Sequence, residues 1–156
     1  MIWADLLRFA HVLGAMVLMG TGAGIAFFMV ISNRTDNPAL IAHVAGIVVL
    51  GDTVFTASAA ILQPITGTLL AWELGWSLTE PWLLAAIGLY LFVGAFWLPV
   101  VWMQIRLRNL AREAAASATP LPEAYRRLYR LWFAFGFPAF GAMLGIIWLM
   151  LMRPPF

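Results

Sequence analysis

Four stretches of the chain are apolar and nearly free of charge, over about residues 3–31, 39–72, 82–105 and 128–152. Each exceeds the roughly 20 apolar residues that a helix needs to cross a bilayer. Between them lie the polar strings Ser32-Asn33-Arg34-Thr35-Asp36-Asn37-Pro38 and Glu73-Leu74-Gly75-Trp76-Ser77-Leu78-Thr79-Glu80-Pro81, then an arginine-rich stretch around residues 111–127. The pattern predicts helices at about 3–31, 39–72, 82–105 and 122–152. Short connections make consecutive helices antiparallel neighbours, so the expected fold is all-α, an integral membrane four-helix up-down bundle forming one transmembrane domain over residues 1–156. Asn37 ahead of Pro38 provides an N-cap and first-turn pair for the second helix. That helix is about 50 Å long at roughly 1.5 Å per residue, more than one crossing, and Pro64 is expected to interrupt it toward its outer end. The third helix is expected to run on through Arg112 and Glu113 to a turn at Thr119-Pro120-Leu121-Pro122.

Composition sharpens this picture. The chain is 63% hydrophobic and 10% charged, against roughly 45–50% and about 25% in soluble domains. It has no lysine and no cysteine, which removes disulfides, thiolate nucleophiles, iron–sulfur clusters and thiolate metal sites together. The net charge of +2 does not point to nucleic acid, because the arginines stand at the ends of apolar segments, where topology accounts for them. Arg34, Arg106, Arg108, Arg112, Arg126, Arg127 and Arg130 fall on one side, and only Arg8 and Arg153 on the other. The positive-inside rule then places the first set in the cytoplasm of a bacterial inner membrane, with both termini and the Glu73/Glu80 connection outside. Trp3, Trp72, Trp76 and Trp82 are expected at the outer interface. The arginine collar is a topology signal that also suits anionic lipid headgroups. The first apolar segment lacks a positive n-region and is too long for a signal-peptide core, so a retained span is expected.

The polar residues inside these segments carry the candidate chemistry. At 100° per residue, Asp52, Thr56, Ala59, Gln63 and Thr66 share a narrow arc of the second helix. Lipid cannot satisfy such groups, so this seam is expected to face the bundle interior, where it either bonds helices together or meets a ligand. A carboxylate at mid-membrane costs roughly 2.5–3.5 kcal/mol on insertion scales. Asp52 is therefore expected to pair with Arg106 or Arg130, or to serve as a proton relay. His11 shares a face with Gly14, Ala15, Leu18 and Gly22, a surface that takes either a flat cofactor or another helix. Gln63, Thr66 and Tyr90 are expected at similar depth. His43 lies most of a bilayer away, so the two histidines cannot clamp one haem within a chain. Gly20-Thr21-Gly22-Ala23-Gly24 is no dinucleotide motif, because it lies inside an apolar helix with no preceding strand. These glycines, with Gly141 and Gly145, are expected to allow close helix packing. No Ser-His-Asp set or intramembrane carboxylate pair supports protein-only hydrolysis.

The strings Thr21-Gly22-Ala23-Gly24-Ile25-Ala26-Phe27-Phe28, Asp52-Thr53-Val54-Phe55-Thr56, Gln63-Pro64-Ile65-Thr66-Gly67, Pro81-Trp82-Leu83 and Leu98-Pro99-Val100-Val101-Trp102-Met103-Gln104 together resemble a bacterial family of predicted integral membrane proteins, domain of unknown function 2269. The likeness spans nearly the whole chain and implies no particular activity. Leu7-Arg8-Phe9-Ala10-His11 ahead of a glycine-bearing stretch is distantly similar to the membrane protoporphyrinogen oxidase and copper-resistance D families. That likeness implies a small helical bundle and a haem-ligating role for His11. The oxidase pattern also carries a histidine and a lysine in its third helix, and Tyr90-Leu91-Phe92-Val93-Gly94-Ala95-Phe96-Trp97 has neither.

Three functional readings follow. In the first, a small redox-type membrane protein binds haem b or a similar flat lipophilic cofactor, with His11 on the iron and Gln63, Thr66 and Tyr90 positioning it. In the second, the chain is a non-enzymatic accessory or assembly subunit, its polar seam serving only to join helices, in a homo-oligomer or beside a membrane partner. In the third, it is a proton-coupled small-molecule carrier that uses Asp52 with Thr56 and an arginine.

Overall fold

The computed structural model describes residues 2–154. Over them the chain forms α1 (Ile2–Asn33), α2 (Pro38–Gly51), a π-helical segment (Asp52–Thr56), α3 (Ala57–Glu73), α4 (Pro81–Ala116) and α5 (Glu123–Met152). Since α2, the π segment and α3 run on as one 36-residue helix, the described residues contain four helices long and apolar enough to cross a membrane. The four apolar runs thus become four spans, as their length requires. Asn37 caps the second, its side-chain oxygen accepting from the backbone N–H groups of Ala39 and Leu40 at 3.0 and 3.2 Å, with Pro38 at the first helical position. The third span does continue past Glu113, ending at Ala116.

The irregularity of the second span is not where Pro64 places it. Pro64 sits inside α3, which stays α-helical from Ala57 to Glu73. A proline there leaves the carbonyl four residues earlier without its usual donor. That carbonyl belongs to Ala60, and the hydroxyl of Tyr90 on α4 donates to it. The break in regularity comes at Asp52–Thr56, where the Ala57 N–H reaches back five residues to the Asp52 carbonyl. Thr53 and Ser58 back-bond to the carbonyls of Val49 and Val54 at 2.7 and 2.6 Å, serving backbone acceptors on either side of the widened turn.

Packing follows the order α1, second span, α4, α5. The second span lies between its neighbours, with α3 against α1 and α2 against α4, while α5 packs along α4. Contact is sparse between α1 and α5 and sparser still between α3 and α4, so the ring of helices is loose on both of those sides. The arginine-bearing end is closed by an apolar core that includes Met29, Ile41, Leu107, Ala111 and Tyr125. Within it the Tyr125 hydroxyl donates to the Asn33 side-chain oxygen at 2.9 Å. At the other end Ala71, Trp82 and Leu83 form a smaller cluster. Trp76 meets Trp82 edge to face at 5.5 Å, and the Arg153 guanidinium stacks 4.3 Å from the Trp76 ring centre. Of the four tryptophans expected at this end, Trp3 and Trp72 are exposed while Trp82 is buried and Trp76 half-buried.

Candidate functional site

The polar arc of the second span divides into two sites. Gln63 and Thr66 face α1; Asp52 and Thr56 face a cavity on the other side. The π segment marks the division, because Asp52 and Thr56 stand at its two ends and both are buried.

On the α1 side the helices fit reciprocally. The Gln63 side chain reaches over Gly14, its amide nitrogen donating to the His11 carbonyl at 2.9 Å and its oxygen accepting from the Ala15 N–H at 3.3 Å. A methyl group at Gly14 would come within 2.6 Å of that amide, and one at Gly67 within 2.9 Å of the His11 ring. Each glycine therefore receives the other helix's polar side chain. The Thr66 hydroxyl donates to the Leu62 carbonyl at 2.8 Å, so it accepts from His11 Nδ1–H at 3.0 Å. The face around His11 takes a helix. His11 and Gln63 fill the seam between α1 and α3, which leaves no room there for a porphyrin plane, and haem does not fit this arrangement. The structure brings together His11, Gln63 and Thr66 of the expected cluster; Tyr90 is engaged with Ala60 instead. No group of three or more metal-ligating side chains occurs among the described residues.

On the other side, a cavity of about 600 Å³ opens between α1, the π segment, α4 and α5. Its walls are apolar, and its mouth is the gap between α1 and α5, where Gly22, Ala26, Gly136 and Phe140 are exposed. Asp52 lies in its floor at 4% exposure. One carboxylate oxygen accepts from Trp97 Nε1 at 3.2 Å. The Thr56 hydroxyl neighbours the same carboxylate, though neither it nor Oδ2 makes a hydrogen bond of good geometry, and Gln104 Oε1 and Trp132 Nε1 have no partner in the protein. These four are the fully buried side-chain polar atoms without a well-formed hydrogen bond among the described residues, and all four residues line this one cavity. A buried polar group without a partner costs about 1–3 kcal/mol.

The expected ion pair of Asp52 is not formed. Arg130 and Arg127 both approach Glu123, at 3.5 and 3.3 Å, and Arg106 is exposed on α4 without an ion pair among the described residues. Both arginines lie nearer the end of the bundle, whereas Asp52 is set at mid-span behind Trp97. Nor do the glycines of the Gly20–Gly24 stretch or Gly141 support close packing, since a methyl group at Gly20, Gly22, Gly24 or Gly141 would meet nothing within 4 Å. Gly145 does, with Leu89 at 3.1 Å. Gly22, Gly94 and Gly136 instead line the cavity and widen it.

These features define a multi-pass α-helical membrane protein with a largely apolar cavity between its spans. The chain belongs to the family of predicted integral membrane proteins DUF2269, whose model matches residues 5–154. No curated protein and no solved structure matches it.

Proposed function

We propose that the protein is a membrane-embedded binding protein for a lipid-soluble amphiphile, held in the cavity between α1, α4 and α5. The observation that carries this reading is one largely apolar space whose lining includes Asp52, Thr56, Gln104 and Trp132, the four residues with buried polar atoms that lack a well-formed hydrogen bond. Sites for small molecules are mostly apolar concavities of about 300–1,000 Å³ with a few convergent polar groups. The apolar walls would take a hydrocarbon body and the floor its polar head. Entry runs sideways, through the gap that α1 and α5 leave toward the surrounding lipid. The second span supplies the acid, and α4 and α5 supply the amide and the indoles. In this reading the arginine-bearing end faces the cytoplasm, which the positive-inside rule supports.

The test is chemical. Protein purified in mild detergent is extracted with organic solvent, and the extract is compared by mass spectrometry with that from Gly94→Leu and Gly136→Leu, which add bulk where the cavity is open. The expected result is a lipophile near one per chain in the wild type, lost in both variants while bulk phospholipid stays constant. Identical extracts from all three proteins would rule the reading out.

A further inference from the structure

Resting on that reading, we infer that the head group held at Asp52 is cationic: the site is built for an amphiphilic amine or guanidine. Asp52 is nine-tenths or more buried at mid-span, and the donors beside it are both neutral, Trp97 Nε1 at 3.2 Å and the Thr56 hydroxyl. The ion pairs among the described residues are Arg8–Asp5, Arg127–Glu123 and Arg130–Glu123, none of which involves it. A buried carboxylate is stabilised by an opposite charge with hydrogen bonds to its remaining lone pairs. No protein cation does so here, so an ionised Asp52 takes its counter-charge from the occupant.

The chemistry of the other groups agrees. Asp52, Thr56 and Gln104 bring buried oxygens to the residues that line the cavity, and a head rich in N–H donors suits them. Tyr90, Trp97, Trp132, Phe133 and Phe137 line the same space, and aromatic ring faces attract a desolvated cation. The lone unpartnered donor, Trp132 Nε1, fits an acceptor oxygen elsewhere on the same ligand. A carboxylate ligand is disfavoured, because its charge would oppose that of Asp52. Beside a neutral alcohol the acid keeps its proton and gains no charge pairing.

Three probes of equal chain length separate these cases: dodecylamine, dodecanol and dodecanoate, titrated at neutral pH into the full-length protein in lipid nanodiscs. The wild type is expected to bind the amine about tenfold or more tightly than the alcohol, the low end of what close desolvated charge pairs give, and the dodecanoate weakest. Asp52→Asn should abolish the preference for the amine while alcohol binding persists, and Asp52→Glu should restore it in part. Equal affinity for amine and alcohol in the wild type, or a preference that survives Asp52→Asn, overturns this inference and leaves the amphiphile cavity standing. If no probe binds, or if Gly136→Leu binds all three as the wild type does, the cavity itself is not the binding site and both readings fall.

Discussion

The hydroxyl of Tyr90 donates to the carbonyl of Ala60, the acceptor that Pro64 strands four residues further along the same helix. A side chain on α4 thereby completes the backbone of α3, and the helix crosses its proline without ending. Tyr90→Phe should destabilise the protein by about 1 kcal/mol, in the range of side-chain hydrogen bonds inside membranes. Combined with Pro64→Ala, which restores a backbone donor to Ala60, the same substitution should cost close to nothing. A double-mutant cycle from unfolding in mixed micelles measures this coupling, and a full cost of Tyr90→Phe in both backgrounds would refute the pairing.

Gly67→Ala should cost about 1–3 kcal/mol by overpacking, because its methyl group meets the His11 ring at 2.9 Å. The penalty should largely vanish in a His11→Ala background, where the ring is gone. Gly22→Ala, which meets nothing within 4 Å, is expected to be neutral within error. Thermal unfolding of these variants side by side checks the contrast.

Removing the cap of the second span is predicted to cost about 1 kcal/mol in Asn37→Ala and much less in Asn37→Asp. Both Asn37 bonds go to the first turn, at Ala39 and Leu40, so an acceptor at this position is what matters. Amide hydrogen exchange at Ala39 and Leu40 should rise in the alanine variant alone.

Because the chain contains no cysteine, its orientation is open to single-cysteine labelling. Ser77→Cys, in the α3–α4 connection, should react with a membrane-impermeant maleimide in intact cells. Ser117→Cys, at the arginine-bearing end, should react only after permeabilisation. The reverse pattern would invert the topology inferred from the arginines.

The four spans were legible because bilayer thickness sets a length and the apolar runs exceed it, whatever their neighbours. The candidate site was legible in part. Asp52 and Thr56 stand out as polar in apolar surroundings, but Trp97 and Trp132 read as hydrophobic, and the role of an indole N–H depends on which helix faces meet. Gln104 lies so near the end of its apolar run that it passes for an interfacial residue. The π turn left a faint signal: Thr53, Val54, Phe55 and Thr56 are all poor helix formers. The glycines misled because a missing side chain serves equally to admit a neighbour, as at Gly14 and Gly67, or to leave space open, as at Gly22 and Gly136. Only the packing distinguishes those uses.

If the cavity binds an amphiphile as proposed, the gap between α1 and α5 sets the solvent from which it fills. An occupant arriving through it exchanges with the hydrocarbon phase and need never pass through water. Its effective dose is then its mole fraction among the lipids, so weak intrinsic affinity suffices for any compound that partitions strongly. Selectivity has to come from the head group, since every tail in the leaflet competes for the walls on equal terms.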